Sequence, residues 1–302
     1  MGWTRRAALA AGFGAPLWSP SAWGQGGSDR VELVIGKTGH IFARTKVNGK
    51  DVHALLDNDQ PTVINIQSSL LSAGDRAAIE FGSRDFAPLR VPATYRFDQA
   101  VVAIDVAIRG MGTYSEVNGF TVDLVLGKSV FAQNVVELDF RRKTMWFHRA
   151  SGFKTPNDAV AFGGDGNKGL LLPVKLGDDV AGLARVMTGF SGYVSVSDPK
   201  VFDWLQDGRK VDEREATRIY GSVAVKAMEQ TFLSPPLTVG NWQFGPVMAW
   251  VDTVQEPGLV GTLGVAALRP FKVWLDESHG RIWMRPQARF SRASISPGSQ
   301  SR

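Results

Sequence analysis

Residues 123–147 and 260–284 superpose without a gap at a constant offset of 137. That register matches Leu126 with Leu263, Gly127 with Gly264, Val136 with Val273, Leu138 with Leu275, Asp139 with Asp276 and Trp146 with Trp283. Six identities that share a glycine and an apolar register mark a duplicated unit, so whatever the half folds into, the chain contains it twice. Two copies cannot form a solenoid, in which stacking neighbours bury one another's faces. Two homologous lobes are therefore expected, and their short apolar runs bounded by Gly, Asn, Asp and Pro read as β-strands.

In the first half the pattern predicts strands over 31–35 and 41–47, flanking Gly36 and Gly39. Asn48-Gly49 is a strong hairpin signal, because both residues accept the positive φ of a tight turn. It sends the chain back through 52–56 and delivers Asp57 at a strand end. A short helix is expected at 67–71, then strands at 89–91, 101–108, 122–127, 135–140 and 144–147. The second half repeats the plan with strands at 170–176 and 183–186, the latter leading into Met187. Asp198-Pro199 supplies an N-cap acid and a proline for the first helical turn, and Gly208 a stop. These elements give lobes over 25–150 and 169–286, with a Gly/Asp/Asn/Pro-rich linker at 151–168. A Ser/Arg-rich tail, 287–302, has too little apolar content to order itself.

Residues 1–24 read as an export signal: Arg5-Arg6, an apolar stretch too short to span a bilayer, and the small-x-small site Ala22-Trp23-Gly24. The arginine pair points to the twin-arginine route, and a periplasmic or secreted location follows. No other apolar run has the length of a membrane span, so none is expected. The absence of cysteine excludes disulfides, thiol catalysis and cysteine metal sites. The four histidines, His40, His53, His148 and His279, lack ligand spacing, so no metal is expected and they read as surface or turn residues. A formal charge of +5, which becomes 5 − 2 = +3 without Arg5 and Arg6, is too small and too dispersed for a nucleic-acid partner. Ser191 has no nucleophile elbow around it and reads as a turn residue.

Two stretches share one grammar. Residues 54–65, ALLDNDQPTVIN, and 183–196, LARVMTGFSGYVSV, each run from an apolar strand through a polar triplet into another strand. Each is followed downstream by a β-former, Leu and Gly, at 125–127 and 262–264. Over roughly residues 30–286 this pattern resembles the aspartic proteases of the pepsin and retropepsin type. The resemblance implies a mostly β, two-lobed acid-protease β-barrel fold with short helices. It implies that Asp57-Asn58-Asp59 and Met187-Thr188-Gly189 stand where that family carries two Asp-Thr-Gly triplets, with Gly127 and Gly264 supporting the cleft. It also implies flap hairpins, with Tyr95 and Tyr220 as candidates, an extended peptide or protein as partner, no cofactor, and a monomer, since both lobes lie in one chain.

In that family two close carboxylates cannot both ionise, so one acts as base towards a shared water while the other stays protonated. Here Asp57 matches the first aspartate and Met187 replaces the second. A thioether holds no proton and accepts none. Asn58 stands in the threonine place and is expected to make part of its hydrogen bonding, and Asp59 puts a second charge in the glycine place. The expectation is a catalytically silent site that binds an extended peptide or an envelope partner by strand addition. The alternative is a divergent endopeptidase in which Asp59 partners Asp57. A plain polar turn is the bland reading of the 57–59 triplet.

Overall fold

The computed structural model describes residues 29–37, 39–47, 50–59, 64–65, 89–97, 100–108, 120, 122–163, 169–204, 207, 210–220, 223–252 and 256–287. The leader, the Asn48-Gly49 turn, the 67–71 helix and the tail beyond 287 lie outside them. The fold is mostly β, with short helices.

Each half is built around the same three-strand unit. In the first, β1 (Asp29–Ile35), β2 (Ile41–Val47) and β3 (Lys50–Leu56) form an antiparallel meander, with Phe42 opposite Leu55 and Ala43 opposite Ala54. β3 then lies parallel to β7 (Leu124–Leu126), with Leu56 beside Leu126. β4 (Ile64–Asn65) runs antiparallel along the other edge of β7. In the second half, β11 (Leu171–Leu176) turns into β12 (Val180–Val186), which lies parallel to β17 (Leu259–Leu263), with Val186 beside Leu263. β13 (Val194–Val196) is antiparallel on the other edge of β17. Both times the chain leaves the parallel outer strand into a polar triplet and returns on the far side of the central strand. Both central strands end in Leu-Gly and enter a short helix, α1 (Lys128–Gln133) or α3 (Val265–Leu268).

The halves meet through a two-fold relation. β8 (Asn134–Asp139) pairs antiparallel with β18 (Phe271–Asp276), setting Val136 against Leu275 and Leu138 against Val273. The repeat offset turns the first pair into the second, because 136 + 137 = 273 and 275 − 137 = 138. The local axis therefore passes between Glu137 and Trp274 (137 + 137 = 274), which face each other. β9 (Thr144–Arg149) and β19 (Arg281–Pro286) flank this pair, so one sheet crosses from one half to the other. Every residue of β8 is buried, as expected where both faces of a strand are covered. β11, covered on one face, alternates buried and exposed positions. One buried apolar cluster runs through both halves, from Leu33 and Leu56 to Leu263 and Met284.

The structure differs from the sequence reading in three places. The 151–168 segment carries β10 (Val160–Gly163), which pairs with β19, so it is partly built into the shared sheet. The strand read at 89–91 continues as β5 (Leu89–Phe97) through Pro92 and pairs with β6 (Ala100–Ile108). After α2 (Lys200–Trp204), β14 (Lys210–Tyr220), β15 (Val223–Val239) and β16 (Trp242–Val251) form a long antiparallel meander. Sequence gave little sign of it, because charges fill β14 and Pro235-Pro236 interrupts β15. The ladder accommodates Pro236 by register shifts on either side of it. Among the described residues no helix is long and apolar enough to cross a membrane.

Candidate functional site

Both triplets hang from equivalent backbone bonds. The Asp57 N–H donates to the Leu126 carbonyl at 3.0 Å, and the Met187 N–H to the Leu263 carbonyl at 2.9 Å. Asp57 and Met187 are thus corresponding residues of corresponding loops, both half-buried. The loops meet directly. A Cβ added to Gly189 would stand 2.4–2.5 Å from all three atoms of the Asp57 carboxyl group. No side chain fits there, so glycine is what lets the second loop rest its backbone on that carboxylate.

Asn58 and Thr188 lock the loops together. The Asn58 N–H donates to Thr188 Oγ1 at 3.0 Å, and the Thr188 N–H donates to Asn58 Oδ1 at 2.8 Å. The Thr188 hydroxyl adds a longer bond to Asn58 Oδ1 at 3.3 Å. Asn58 Nδ2 donates to the Val186 carbonyl at 2.9 Å and reaches the Glu277 carboxylate at 3.4 Å. Both side chains are buried, Asn58 at 3% and Thr188 at 0% exposure. Asn58 was expected to make part of a threonine's bonding. It bonds across the junction and adds two donations that a hydroxyl could not make from the same position.

Asp59 turns another way. Its N–H donates to Asp57 Oδ1 at 3.1 Å, a short-range turn bond, while its carboxylate faces Arg185 at 3.6 Å. Arg185 also binds Glu256 at 2.5 Å, giving a carboxylate–guanidinium–carboxylate chain beside the junction. Glu277 lies behind Asn58. Burial pushes its carboxyl above the usual range, against the opposing pull of the Asn58 bond and the Lys128 and Arg185 charges.

The supporting glycines sit at the helix entrances. Gly127 and Gly264 are buried and precede α1 and α3 with nearly the same extended backbone. A Cβ on Gly264 would stand 2.4 Å from the Gly192 carbonyl oxygen and 2.5 Å from that of Phe190, so the 190–192 backbone packs against it directly. Tyr95 lies on β5 opposite Val102, near the tip of the β5–β6 hairpin. Tyr220 ends β14 opposite Val223, at the tip of the β14–β15 hairpin. The backbone thus puts both tyrosines near hairpin ends.

His40 was missed as part of this site. It follows the β1–β2 turn, yet its ring is hydrogen-bonded to the Gly189 backbone. That bond favours the protonated ring, so the ring donates to the carbonyl. Burial outweighs the bond and lowers the imidazole below its ordinary value. The contact joins residues 149 apart in sequence (189 − 40 = 149), and no local pattern announces it.

Two facing strand-end loops, carried by duplicated three-strand units about a two-fold axis, decide the architecture. The fold is two-lobed and mostly β, as the sequence pattern implied. Among solved structures, the aspartic proteinase from Irpex lacteus is similar to this chain, with a TM-score of 0.49 and 11% identity over 86% of this chain and 97% of that one. No family model matches the sequence. No curated protein matches it either.

Proposed function

We propose that this chain is an exported, pepsin-like binding protein whose cleft between the two halves holds an extended peptide or an envelope partner without cleaving it. The observation that carries this reading is the pairing of an intact junction with unequal chemistry. Asn58, Thr188 and Gly189 keep the loops locked face to face, while the position that corresponds to Asp57 is Met187. A single carboxylate can hold a water, but Met187 offers no second acid to polarise a carbonyl or protonate a leaving amine. Strand addition suits the β-hairpin edges around the loops, since main-chain bonds give affinity without any particular chemistry.

The second reading is a divergent aspartic endopeptidase that uses Asp57 with Asp59. The bond from the Asp59 N–H to Asp57 Oδ1 favours it by keeping the two residues together. Against it, both acids lie on one loop, and the Asp59 carboxylate is turned towards Arg185 at 3.6 Å.

Photo-crosslinking of unstructured peptides to the purified chain, with mass spectrometry of both partners, tests the proposal. The expected result is crosslinks to residues 57–59 and 187–193 with every peptide recovered whole. Crosslinks confined to other surfaces would refute the cleft as binding site. Peptide fragments that vanish with Asp57→Asn would favour the endopeptidase.

A further inference from the structure

The tip of the first hairpin reaches from the first half onto the second. The Gly36 N–H donates to the His40 carbonyl at 2.8 Å and the Gly39 N–H to the Gly36 carbonyl at 3.0 Å, closing a tight turn. Gly39 has φ of +93°, which glycine adopts at no steric cost. From the second half, Arg269 Nη2 donates to the Gly39 carbonyl at 2.9 Å. A point one Cβ-length from Gly39 lies 3.1 Å from Arg269 Nη2 and 3.4 Å from the Ser191 Cβ. His40 is the next residue along, with its ring on Gly189. Gly39, His40, Ser191 and Arg269 are all half-buried, so the corner they form is sheltered and still reached by solvent.

Arg269 is incompletely satisfied there. Its Nη2 bond goes to a neutral carbonyl, and its Nε is buried with no hydrogen-bond partner. Among the described residues no carboxylate pairs with it. Arg185, whose Nε is likewise unpartnered, has its charge met by Asp59 and Glu256. A half-buried guanidinium without a counter-charge is costly, and its planar fork of donors fits a carboxylate. Ser191 faces the same Gly39 position, its Cβ 3.4 Å from a point one Cβ-length from Gly39, two residues beyond the glycine that rests on Asp57.

We propose that the corner formed by Arg269, Ser191 and His40 around Gly39 binds a carboxylate of the peptide held in the cleft. This rests on the peptide-binding reading and names its ligand class: an extended peptide that places a free C-terminus or an Asp/Glu side chain next to the Asp57 junction.

Two measurements on the full chain test it. Immobilised random peptides are offered in three arms: free C-terminus without Asp or Glu, amidated C-terminus with Asp or Glu, and amidated without either. Wild type is expected to retain one of the first two arms over the third, and the arm retained identifies the source of the carboxylate. Arg269→Gln should weaken that binding about tenfold, the loss of one charge-assisted contact. Arg269→Lys should recover part of it. Equal retention of all three arms, unchanged by Arg269→Gln, would overturn the carboxylate site and leave peptide binding standing.

The second measurement uses glutarate as a free dicarboxylate, at ionic strength matched with chloride. A saturable shift of the Arg269 Nε–H resonance is expected, with a melting-temperature rise that Arg269→Gln lacks. If no peptide of any arm is retained, the peptide reading fails and glutarate alone decides the site. No shift and no rise would overturn it.

Discussion

Asn58→Ala should be among the most damaging single substitutions outside the apolar core. The change removes the acceptor of the buried Thr188 N–H at 2.8 Å and the donor to the Val186 carbonyl at 2.9 Å. Each buried group left unpaired costs about 1–3 kcal/mol, so two give about 2–6 kcal/mol. Water entering beside the half-buried Asp57 should relieve part of this, so about 3 kcal/mol is expected. Thr188→Val keeps the shape and removes the acceptor of the Asn58 N–H at 3.0 Å together with the longer donation to Asn58 Oδ1 at 3.3 Å, for about 1–2 kcal/mol. The pair acts as one unit, so the double variant should cost less than the sum, with a coupling of about 1–2 kcal/mol. Urea unfolding followed by tryptophan fluorescence measures all three variants. A loss under about 0.5 kcal/mol for Asn58→Ala, with additive doubles, would mean that the ladder does not hold the junction.

Three further perturbations follow from the same contacts. Gly264→Ala should destabilise by about 1–3 kcal/mol, because its Cβ meets the Phe190 and Gly192 carbonyls and backbone must shift; thermal unfolding reads it. Burial raises the Glu137 carboxyl, but bonds from His148, Lys272 and Trp274 outweigh that and hold it at about 2, below its ordinary 4.5. A depressed acid stabilises above its unfolded value, so Glu137→Gln should cost about 3 kcal/mol at neutral pH, and the gap should close as pH falls from 4.5 towards 2. Glu277 has the opposite sign: its raised carboxyl favours the fold at low pH and opposes it once ionised. Glu277→Gln should therefore stabilise the chain at neutral pH and leave acid stability nearly unchanged, as unfolding across pH would reveal.

The duplication was legible because its evidence is local. Residues 123–147 and 260–284 hold the central strand, the Leu-Gly turn and the paired strands of each half, and β8 among them is buried at every position. Asp57 and Met187 could be placed at strand ends for the same reason. The partners of the triplets were not legible. Asn58 reaches Thr188 across 130 residues and Glu277 across 219, and nothing near Asn58 indicates which groups will meet its carboxamide. His40 read as a turn histidine because only the crossing of the hairpin tip brings it to Gly189. Ser191 read as a turn residue; it lies in irregular backbone between the 188–189 turn and the 192–193 bend, where Gly39 approaches it from the other half. The long β14–β16 meander was hidden by charged and proline-containing strands, whose pairing is set by neighbours rather than by period-two alternation.

The account stands or falls on whether one carboxylate at an intact junction is catalytically silent. Incubation of an unstructured protein with the wild type, Asp57→Asn, and a variant combining Met187→Asp, Asn58→Thr and Asp59→Gly, from acid to neutral pH, addresses this directly. The wild type and Asp57→Asn should leave the substrate whole, and the combined variant should gain cleavage at acid pH. Wild-type cleavage abolished by Asp57→Asn, or a folded combined variant with no activity at any pH, would contradict it.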